Sequence, residues 1–211
     1  MKFFYYLLIW NITSQALLYS SNAKILGDDQ SKHAWVYLCG LKEDLDSEST
    51  QNEISILNDI GQNLHIKIIA IDPPKRCRFF DNKLCWPYEN QTKLQQTYAY
   101  IASIVNKEQI SGYLGFSNGG FFLLELAKSI PLGSPIITIG AGGNLSNPTA
   151  KNRIILLIGK YDSYHYNSAH QFYKQSNNTP LVTELIECEH GHCIPKTLLY
   201  EVIKRTQTST H

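Results

Sequence analysis

The sequence has almost no net charge, because 19 lysine and arginine residues balance 18 aspartate and glutamate residues, for a formal charge of +1 at pH 7. A strong excess of basic residues would point to nucleic acid or to an anionic membrane surface as a partner. The sequence therefore indicates neither. It also lacks internal repeats, low-complexity runs and an interdomain linker, so residues 24–211 are predicted to form one domain with its own core.

A long hydrophobic run is absent as well. The apolar stretch Phe3–Trp10 is too short for a membrane span, and polar residues interrupt it from Asn11 onwards. With Lys2 before it and Ala23 after the polar stretch, residues 1–23 have the layout of a secretory signal peptide. We expect cleavage after Ala23, an exported (periplasmic or secreted) protein and no stable membrane span after cleavage. An uncleaved anchor or a buried first helix is the alternative.

The five cysteines contain no C-x-x-C pair, which makes a zinc site less plausible. In an exported protein, five cysteines allow two disulfides and leave one thiol. Their spacing predicts the pairs Cys77–Cys85 and Cys188–Cys193, with Cys39 unpaired. The alternative is that the cysteines are free and buried.

A serine lies at the centre of a G-x-S-x-G sequence, Gly115-Phe116-Ser117-Asn118-Gly119. An apolar run precedes it and the apolar run Phe121–Ala127 follows, which predicts a strand, a sharp turn and a helix. Such a turn requires small residues beside the serine, so that strained backbone can lift Oγ clear of the sheet. The bare motif also occurs in ordinary glycine-rich turns, so its meaning depends on partner residues elsewhere in the chain.

A serine hydroxyl attacks an acyl carbon efficiently only when a histidine takes its proton and a carboxylate orients that histidine. Asp162 follows the apolar run 153–158, and His192 lies in a loop after the run Leu181–Glu187. Both runs are predicted strands, and functional groups in open α/β sheets collect at the carboxyl ends of strands. Ser117, Asp162 and His192 are therefore candidates for one catalytic site.

Other residues compete for these roles. His190 is the alternative base. Glu187 or Glu189 could replace Asp162 as the orienting acid, and Asp162 could be an ordinary turn residue. We favour His192 because a glycine that gives the turn freedom precedes it, and an Ile-Pro pair that can anchor the loop on the last helix follows it. The remaining histidines are expected at the surface or at strand ends: His33, His65, His165, His170 and His211.

Predicted strands and helices alternate along the chain. Helices are expected over Ser49–Ile60, ending at Gly61, and over Gln91–Asn106, and a buried strand over Ser134–Gly140. Such alternation favours an α/β protein with a doubly wound, mostly parallel sheet and helices on both faces. The chain leaves no room for a large cap domain.

Residues 115–120, Asp162 and the segment Gly191–Pro195 resemble the α/β-hydrolase superfamily, in particular its small carboxylesterase and acyl-protein-thioesterase-like branch. The resemblance spans nearly all of residues 24–211. It implies a minimal α/β-hydrolase fold in which Ser117 is the nucleophile, His192 the general base and then acid, and Asp162 the partner of that histidine. It implies no metal or organic cofactor, and it leaves the oligomeric state open.

The same resemblance implies an oxyanion hole made of two backbone amides. One belongs to the residue after the nucleophile, Asn118, and the other to a loop after an early strand, where Leu41 is the candidate. That branch commonly has His-Gly before the second donor, whereas this chain has Cys39-Gly40.

A long connection between Asp72 and Gln91 should emerge at the carboxyl edge of a parallel sheet. Long loops at that edge usually carry function. We expect Phe79, Phe80 and Trp86 to line an acyl pocket. The alternative is an aromatic cluster that fastens the loop to the domain.

These features predict an exported serine hydrolase that cleaves a carboxylic ester or thioester of a small-molecule or acylated substrate through an acyl-enzyme. A peptidase or a lipase could use the same three residues, although the absence of room for a lid disfavours a lid-gated lipase. A non-catalytic secreted binding protein with this fold is the other alternative. Such a protein would normally lack one of the three residues, and here all three positions are filled.

Overall fold

The computed structural model describes residues 23–41, 48–77 and 83–208. The predicted signal peptide lies outside these residues except for Ala23, which begins the first strand, so its cleavage stays a prediction. In chain order the elements are β1 (Ala23–Gly27), β2 (Ala34–Leu38), α1 (Glu48–Leu64), β3 (Lys67–Ile71), β4 (Lys75–Arg76), β5 (Leu84–Cys85), α2 (Gln91–Ile104), β6 (Ile110–Phe116), α3 (Asn118–Ser129), β7 (Ile136–Ile139), β8 (Arg153–Gly159), α4 (Tyr166–Ser176), β9 (Val182–Cys188) and α5 (Lys196–Thr208).

Seven strands form one sheet in the order β1-β3-β2-β6-β7-β8-β9. The pair β1–β3 is antiparallel, and every other neighbouring pair in this sheet is parallel. Parallel neighbours require crossover connections, which contain helices except between β7 and β8, where residues 140–152 connect the strands without a helix. β4 and β5 form a separate two-stranded ribbon. The carboxyl ends of the parallel strands therefore meet at one edge of the sheet.

Helices cover both faces of the sheet. On one face α1 and α5 pack with Trp35 and Tyr37, and on the other α2, α3 and α4 pack with Ala34, Val36 and Leu38. All five residues of β2 are buried, because a central strand of a sheet covered on both faces has no side toward solvent. The predicted doubly wound α/β fold is confirmed, and the described residues contain no large cap domain.

Helix α1 extends a turn past its predicted end at Gly61. That glycine lies inside the helix, where an added Cβ would lie 2.7 Å from the Cα of Gly27. The helix ends at His65, whose φ is 51°. The amides of His65 and Ile66 donate to the carbonyls of Gln62 and Gly61 at 3.3 and 3.0 Å, which is a Schellman end with histidine in the usual place of glycine. Gly61 therefore allows α1 to pack closely against β1, and it does not end the helix.

Four elements were not predicted from the sequence: β1, α4 and the two short strands of the ribbon, β4 and β5. β1 is an edge strand with a single neighbour, and its middle residue Ile25 is 58% exposed, so burial leaves only a weak pattern in its sequence. In α4 the buried residues are Ala169, Phe172 and Ser176, a narrow stripe of which only two members are apolar. None of the helices in the described ranges is long and apolar enough to cross a membrane.

Candidate active site

Ser117 lies between the end of β6 and the first turn of α3. Its φ of 49° and ψ of −116° lie in a region that residues other than glycine rarely adopt. Two backbone hydrogen bonds hold this conformation: the Ser117 amide donates to the Ile139 carbonyl at 2.8 Å, and the Phe121 amide donates to the Ser117 carbonyl at 3.0 Å. The serine is thus presented on the strained strand-to-helix turn that the motif predicts.

The glycines of the motif are required by close backbone contacts. A Cβ on Gly119 would lie 2.2 Å from the carbonyl oxygen of Leu38 and 2.6 Å from that of Cys39. A Cβ on Gly115 would lie 2.7 Å from the Cα of Gly120. Because these neighbours are backbone atoms, no side-chain rotation could make room. The first turn of α3 therefore packs directly on the end of β2 and on β6.

Asp162 and His192 are joined by a hydrogen bond of 2.6 Å between Oδ2 and Nδ1. The carboxylate is 1% exposed. Its other oxygen, Oδ1, accepts the backbone amides of Tyr164 and His165 at 3.2 and 3.1 Å. The buried acid is therefore fully paired, and its orientation is set by the turn that begins α4.

The ring of His192 lies beside the serine turn. It stacks on Phe116, the residue before Ser117, with ring centroids 4.9 Å apart. It also lies against Gly140, where an added Cβ would be 2.7 Å from Nδ1. The side chain is 32% exposed, so one edge of the ring remains open to solvent. These contacts bring the three predicted residues, from the ends of β6, β8 and β9, to one edge of the sheet.

The competing acids have other partners. Glu187 accepts a hydrogen bond from the hydroxyl of Tyr166 at 2.5 Å and lies 3.0 Å from Nε2 of His170. Glu189 forms an ion pair with Lys160. Of the three acids considered from sequence, Asp162 is the one bonded to a candidate base.

His165 is a site residue that the sequence analysis missed. It was expected at the surface or at a strand end, without a role in the site, but its ring is 4.8 Å from that of His192 and 5.2 Å from that of Phe121. Burial lowers the pKa of His165, the carboxylate of Asp162 opposes that shift, and His192 adds to it. The D-x-x-H spacing across the start of α4 was the available signal, since it places the histidine one turn from the acid.

Asp162, His165 and His192 also form a possible metal-binding group, with ligand atoms within 4.8 Å of one another. The two carboxylate oxygens of Asp162 already accept three hydrogen bonds from the chain. A metal ion that took Nδ1 of His192 as a ligand would displace its bond to Asp162. The donor set as it stands therefore fits an oriented histidine better than a metal centre.

The loop after β2 contacts the serine turn. A Cβ on Gly40 would lie 3.1 Å from the Cβ of Ser117. This places the segment 39–41, which contains the predicted donor Leu41, directly against the nucleophile candidate. Asn118 is the first residue of α3, so its amide is one of the unpaired donors of a helix N-terminus. The roles of Asn118 and Leu41 as oxyanion donors stay predictions.

Trp86 lies in the core rather than at an open surface. Its side chain is 1% exposed, and its ring centroid is 5.6 Å from that of Phe122. This burial favours the alternative interpretation, an aromatic contact that fastens the long loop to the domain. Phe79 and Phe80 lie outside the described residues, so their predicted place in an acyl pocket stays a prediction.

One of the two predicted disulfides is present. Cys77 and Cys85 are bonded, next to the β4–β5 ribbon, and Cys39 is fully buried and outside any disulfide, as expected. The prediction of a Cys188–Cys193 bond is wrong, since both are free cysteines. Cys188 belongs to β9, where its thiol contacts the carbonyl of Ile158 at 3.6 Å, while Cys193 is exposed. Burial is the main factor that raises the pKa of both thiols.

A cavity of about 360 Å³ lies away from this site. It is lined by the start of α2 and by Glu125, Lys128 and Ser129 in the second half of α3. Because Ser117 precedes the first turn of α3, the cavity and the serine lie toward opposite ends of that helix. We therefore do not assign the cavity to the candidate active site.

No protein-family model matches the chain, and no curated protein matches it in sequence. Several solved structures are nevertheless similar. Esterase PE8 is 14% identical with a TM-score of 0.64, over 88% of this chain and 98% of its own. A carboxylesterase from Mesorhizobium loti is 13% identical with a TM-score of 0.63, over 86% and 93% of the two chains. Acyl-protein thioesterase 2 from Zea mays is 14% identical with a TM-score of 0.57, over 87% and 98%.

At such low identity, these similarities show the fold alone. The strand order and the strained serine turn agree with that fold independently of the comparisons. They extend over most of this chain and nearly all of each of the three solved structures. The chain therefore has the α/β-hydrolase fold.

Proposed function

We propose that this protein is an exported serine hydrolase that cleaves a carboxylic ester or thioester through an acyl-enzyme. The observation that carries the proposal is the hydrogen bond from His192 to the buried Asp162, at the sheet edge where Ser117 occupies a strained turn. A strained serine by itself would be compatible with a structural turn. A serine, an oriented histidine and a buried acid at one edge form the arrangement that nucleophilic catalysis requires.

In this proposal Asp162 fixes the tautomer of His192. The carboxylate accepts a hydrogen bond from the N–H at Nδ1, which keeps the proton on that nitrogen and leaves Nε2 as the unprotonated acceptor. Nε2 then takes the proton of Ser117 as Oγ attacks the acyl carbon. The same proton passes to the leaving alcohol or thiol. In the second half-reaction His192 activates water, which releases the acid and restores the serine.

The negative charge on the acyl oxygen would be stabilised by the amides of Asn118 and Leu41. The Asn118 amide lies at the N-terminus of α3, where the helix dipole favours negative charge. Removing one such donor typically costs about 2.7 to 4 kcal/mol in the activation barrier. The loop after β2 is therefore expected to matter for turnover as well as for packing.

The substrate class is proposed from two further observations. Structures of similar fold include esterases and an acyl-protein thioesterase, although at 13–14% identity in the three described above. The predicted pocket residues Phe79 and Phe80 are apolar and follow β3 in the sequence, which suits the acyl pocket expected there. A peptidase or lipase with the same residues, or a non-catalytic binding protein, remains the alternative.

Export is proposed from the N-terminal sequence and is supported by the disulfide between Cys77 and Cys85. Disulfides persist mainly in oxidising compartments. N-terminal sequencing of the protein recovered outside the cytoplasm should begin at Lys24. Recovery of protein that still begins at Met1 would contradict the signal peptide.

The catalytic proposal is tested by labelling with a fluorophosphonate probe and mapping the modified residue. Labelling should occur at Ser117, and the Ser117→Ala variant should lose both the label and nearly all ester hydrolysis. Ser163→Ala is the matched control, because Ser163 is an exposed serine in the Asp162 loop. It should keep both properties. Hydrolysis that survives in Ser117→Ala would overturn the assignment.

A further inference from the structure

We propose that Trp86 is a positioning residue for the oxyanion site, holding the loop after β2 and the first residue of α3 at their mutual spacing. The inference rests on the proposed hydrolase function for its catalytic consequence. It assigns Trp86 a role different from a wall of the acyl pocket.

Two hydrogen bonds connect Trp86 to both backbone segments. The indole Nε1–H donates to the carbonyl oxygen of Cys39 at 2.9 Å. The backbone amide of Trp86 donates to the side-chain Oδ1 of Asn118 at 2.8 Å. One residue thus bonds to the segment that leads into Leu41 and to the residue that follows Ser117.

These bonds act on the peptide groups next to the predicted oxyanion donors. The Cys39 carbonyl belongs to the peptide unit just before the one that carries the Leu41 amide. Asn118 carries the other donor amide on its own backbone. Fixing the Cys39 carbonyl and the Asn118 side chain therefore restrains both donor peptides, which come from distant parts of the sequence.

Burial makes the bond from the indole to Cys39 strong and specific, whereas the bond to Asn118 is partly buried. Trp86 and Cys39 are 1% and 0% exposed, so water cannot replace the bond between them. The large ring also contacts Phe122 on α3, with centroids 5.6 Å apart. A side chain with no exposed surface contributes little wall to an open acyl pocket, whereas it is well placed to separate and hold two backbone segments.

The chain immediately before Trp86 is itself anchored. Cys85 is bonded to Cys77, and it pairs with Lys75 in the β4–β5 ribbon. The Cys77 amide donates to the Lys83 carbonyl at 2.7 Å. The ribbon and the disulfide thus fix the position from which Trp86 reaches the site.

The test is the Trp86→Phe variant, which removes the indole donor and keeps an aromatic ring. Trp35→Phe is the matched control, because Trp35 is also 1% exposed but its Nε1 has no hydrogen-bond partner among the described residues. Both variants lose a buried indole. Only Trp86→Phe loses a bond to the loop after β2.

We expect Trp86→Phe to lower kcat on test esters by about 10- to 100-fold, because a misplaced catalytic group costs on this order of rate. KM should change little, since the donors act mainly in the transition state. The loss should be equal for short and long acyl chains. Trp35→Phe should change the thermal midpoint but keep kcat. Equal kcat in the two variants, or a loss restricted to long acyl chains, would overturn the positioning role.

Hydrogen exchange measures the same restraint without any turnover. Amides of the segment 38–41 should exchange faster in Trp86→Phe than in the parent protein and in Trp35→Phe. Unchanged exchange there would refute the inference. Faster exchange in a protein that neither hydrolyses esters nor reacts with the fluorophosphonate would instead uphold the structural restraint and contradict the proposed hydrolase function.

Asn118→Ala provides a second variant if Trp86→Phe fails to fold. It removes the acceptor of the Trp86 amide and leaves the Asn118 backbone amide in place. It should reduce kcat in the same range. Where Trp86→Phe does fold, the double variant should lose less than the product of the two single losses, because both act on one restraint. Independent, multiplicative losses would contradict a shared role.

Discussion

The nucleophile turn and the histidine loop, residues 189–195, position their functional side chains by different means. Around Ser117 the chain packs backbone against backbone, to the point that Gly119 could not carry a Cβ. His192 lies in a loop without regular structure, and its side chain is 32% exposed. Its ring is held by the side chains of Asp162, Phe116 and His165.

This difference follows from what each residue must do. A nucleophile needs one fixed position, which close-packed backbone supplies because it cannot rearrange locally. A general base has to turn slightly as it passes the proton from the serine to the leaving group. Side-chain contacts on an exposed loop allow that motion while a buried carboxylate keeps the orientation. The expected consequences of disturbing the two regions differ accordingly.

The largest effect should come from Asp162→Asn, which acts on the histidine side. The amide can still accept the Tyr164 and His165 backbone amides, so the fold should persist, but it no longer holds His192 in the required tautomer. If the proposed function is right, we expect kcat to fall by about 10⁴-fold, the effect of the same change in the Ser-His-Asp triad of a serine protease. Steady-state kinetics with circular dichroism on the same sample would measure it.

Glu187→Gln is the control for that variant, since Glu187 bonds Tyr166 and His170 instead of His192. It should leave kcat unchanged. If Glu187→Gln lost most of its kcat while Asp162→Asn remained active, the orienting acid would be Glu187 and the assignment to Asp162 would be wrong.

A smaller effect on rate, but a larger one on stability, is expected for Gly119→Ala. The new Cβ would lie 2.2 Å from the carbonyl oxygen of Leu38, so the loop after β2 and α3 must move apart. Overpacking of this kind costs about 1 to 3 kcal/mol in the free energy of unfolding. Displacement of the loop after β2, which contains the predicted oxyanion donor Leu41, should lower kcat by about 100-fold. Urea unfolding and ester kinetics report the two quantities.

Gly191→Ala supplies the comparison in the histidine loop. The atom nearest to an added Cβ is the carbonyl oxygen of Tyr161, at 3.9 Å, and Gly191 does not have a positive φ. Stability and kcat should therefore change little. If Gly119→Ala and Gly191→Ala lost the same stability and the same kcat, the two regions would not differ in the way proposed, by backbone packing in one and side-chain contacts in the other.

The smallest expected effect is a pH dependence of stability at His165. Burial lowers the pKa of this histidine in the folded protein. As the pH falls below the unfolded value of about 6.5, the unfolded chain takes up the proton first, so folding loses free energy with falling pH. Urea unfolding at pH 8 and pH 5.5 should show a larger loss in the parent protein than in His165→Gln. An identical pH dependence of stability in the parent protein and in His165→Gln would contradict the assignment of this effect to His165.

The pattern of strands and helices was largely predictable because burial leaves a periodic signal. The helix predicted over Gln91–Asn106 is present as Gln91–Ile104, and the strand predicted over Ser134–Gly140 as Ile136–Ile139. The sequence did not predict β1, and it predicted the end of α1 at Gly61, which lies inside the helix. In both places the outcome depends on a segment that packs against these residues from elsewhere in the chain. The close approach of Gly61 to Gly27 depends on how α1 crosses the sheet.

Of the candidate site, the sequence predicted the residue types and their chain order but not every contact. Asp162 and His192 were identified from their places after apolar runs, and they are bonded. His165 was missed because its proximity to His192 depends on the turn that begins α4. The Cys188–Cys193 bond was wrongly inferred from the short spacing of the two residues. Spacing along the chain does not show the direction of a thiol, which for Cys188 is set by its place in β9.

The sequence by itself determined the alternation of elements, the small residues at the serine turn and the order of serine, acid and histidine. These features are local, since each depends on periodicity or on the conformational range of one residue. Only the tertiary structure decided which acid meets His192, and that Trp86 joins Cys39 to Asn118. Such contacts link residues that are distant in the chain, and strand order and register bring them together.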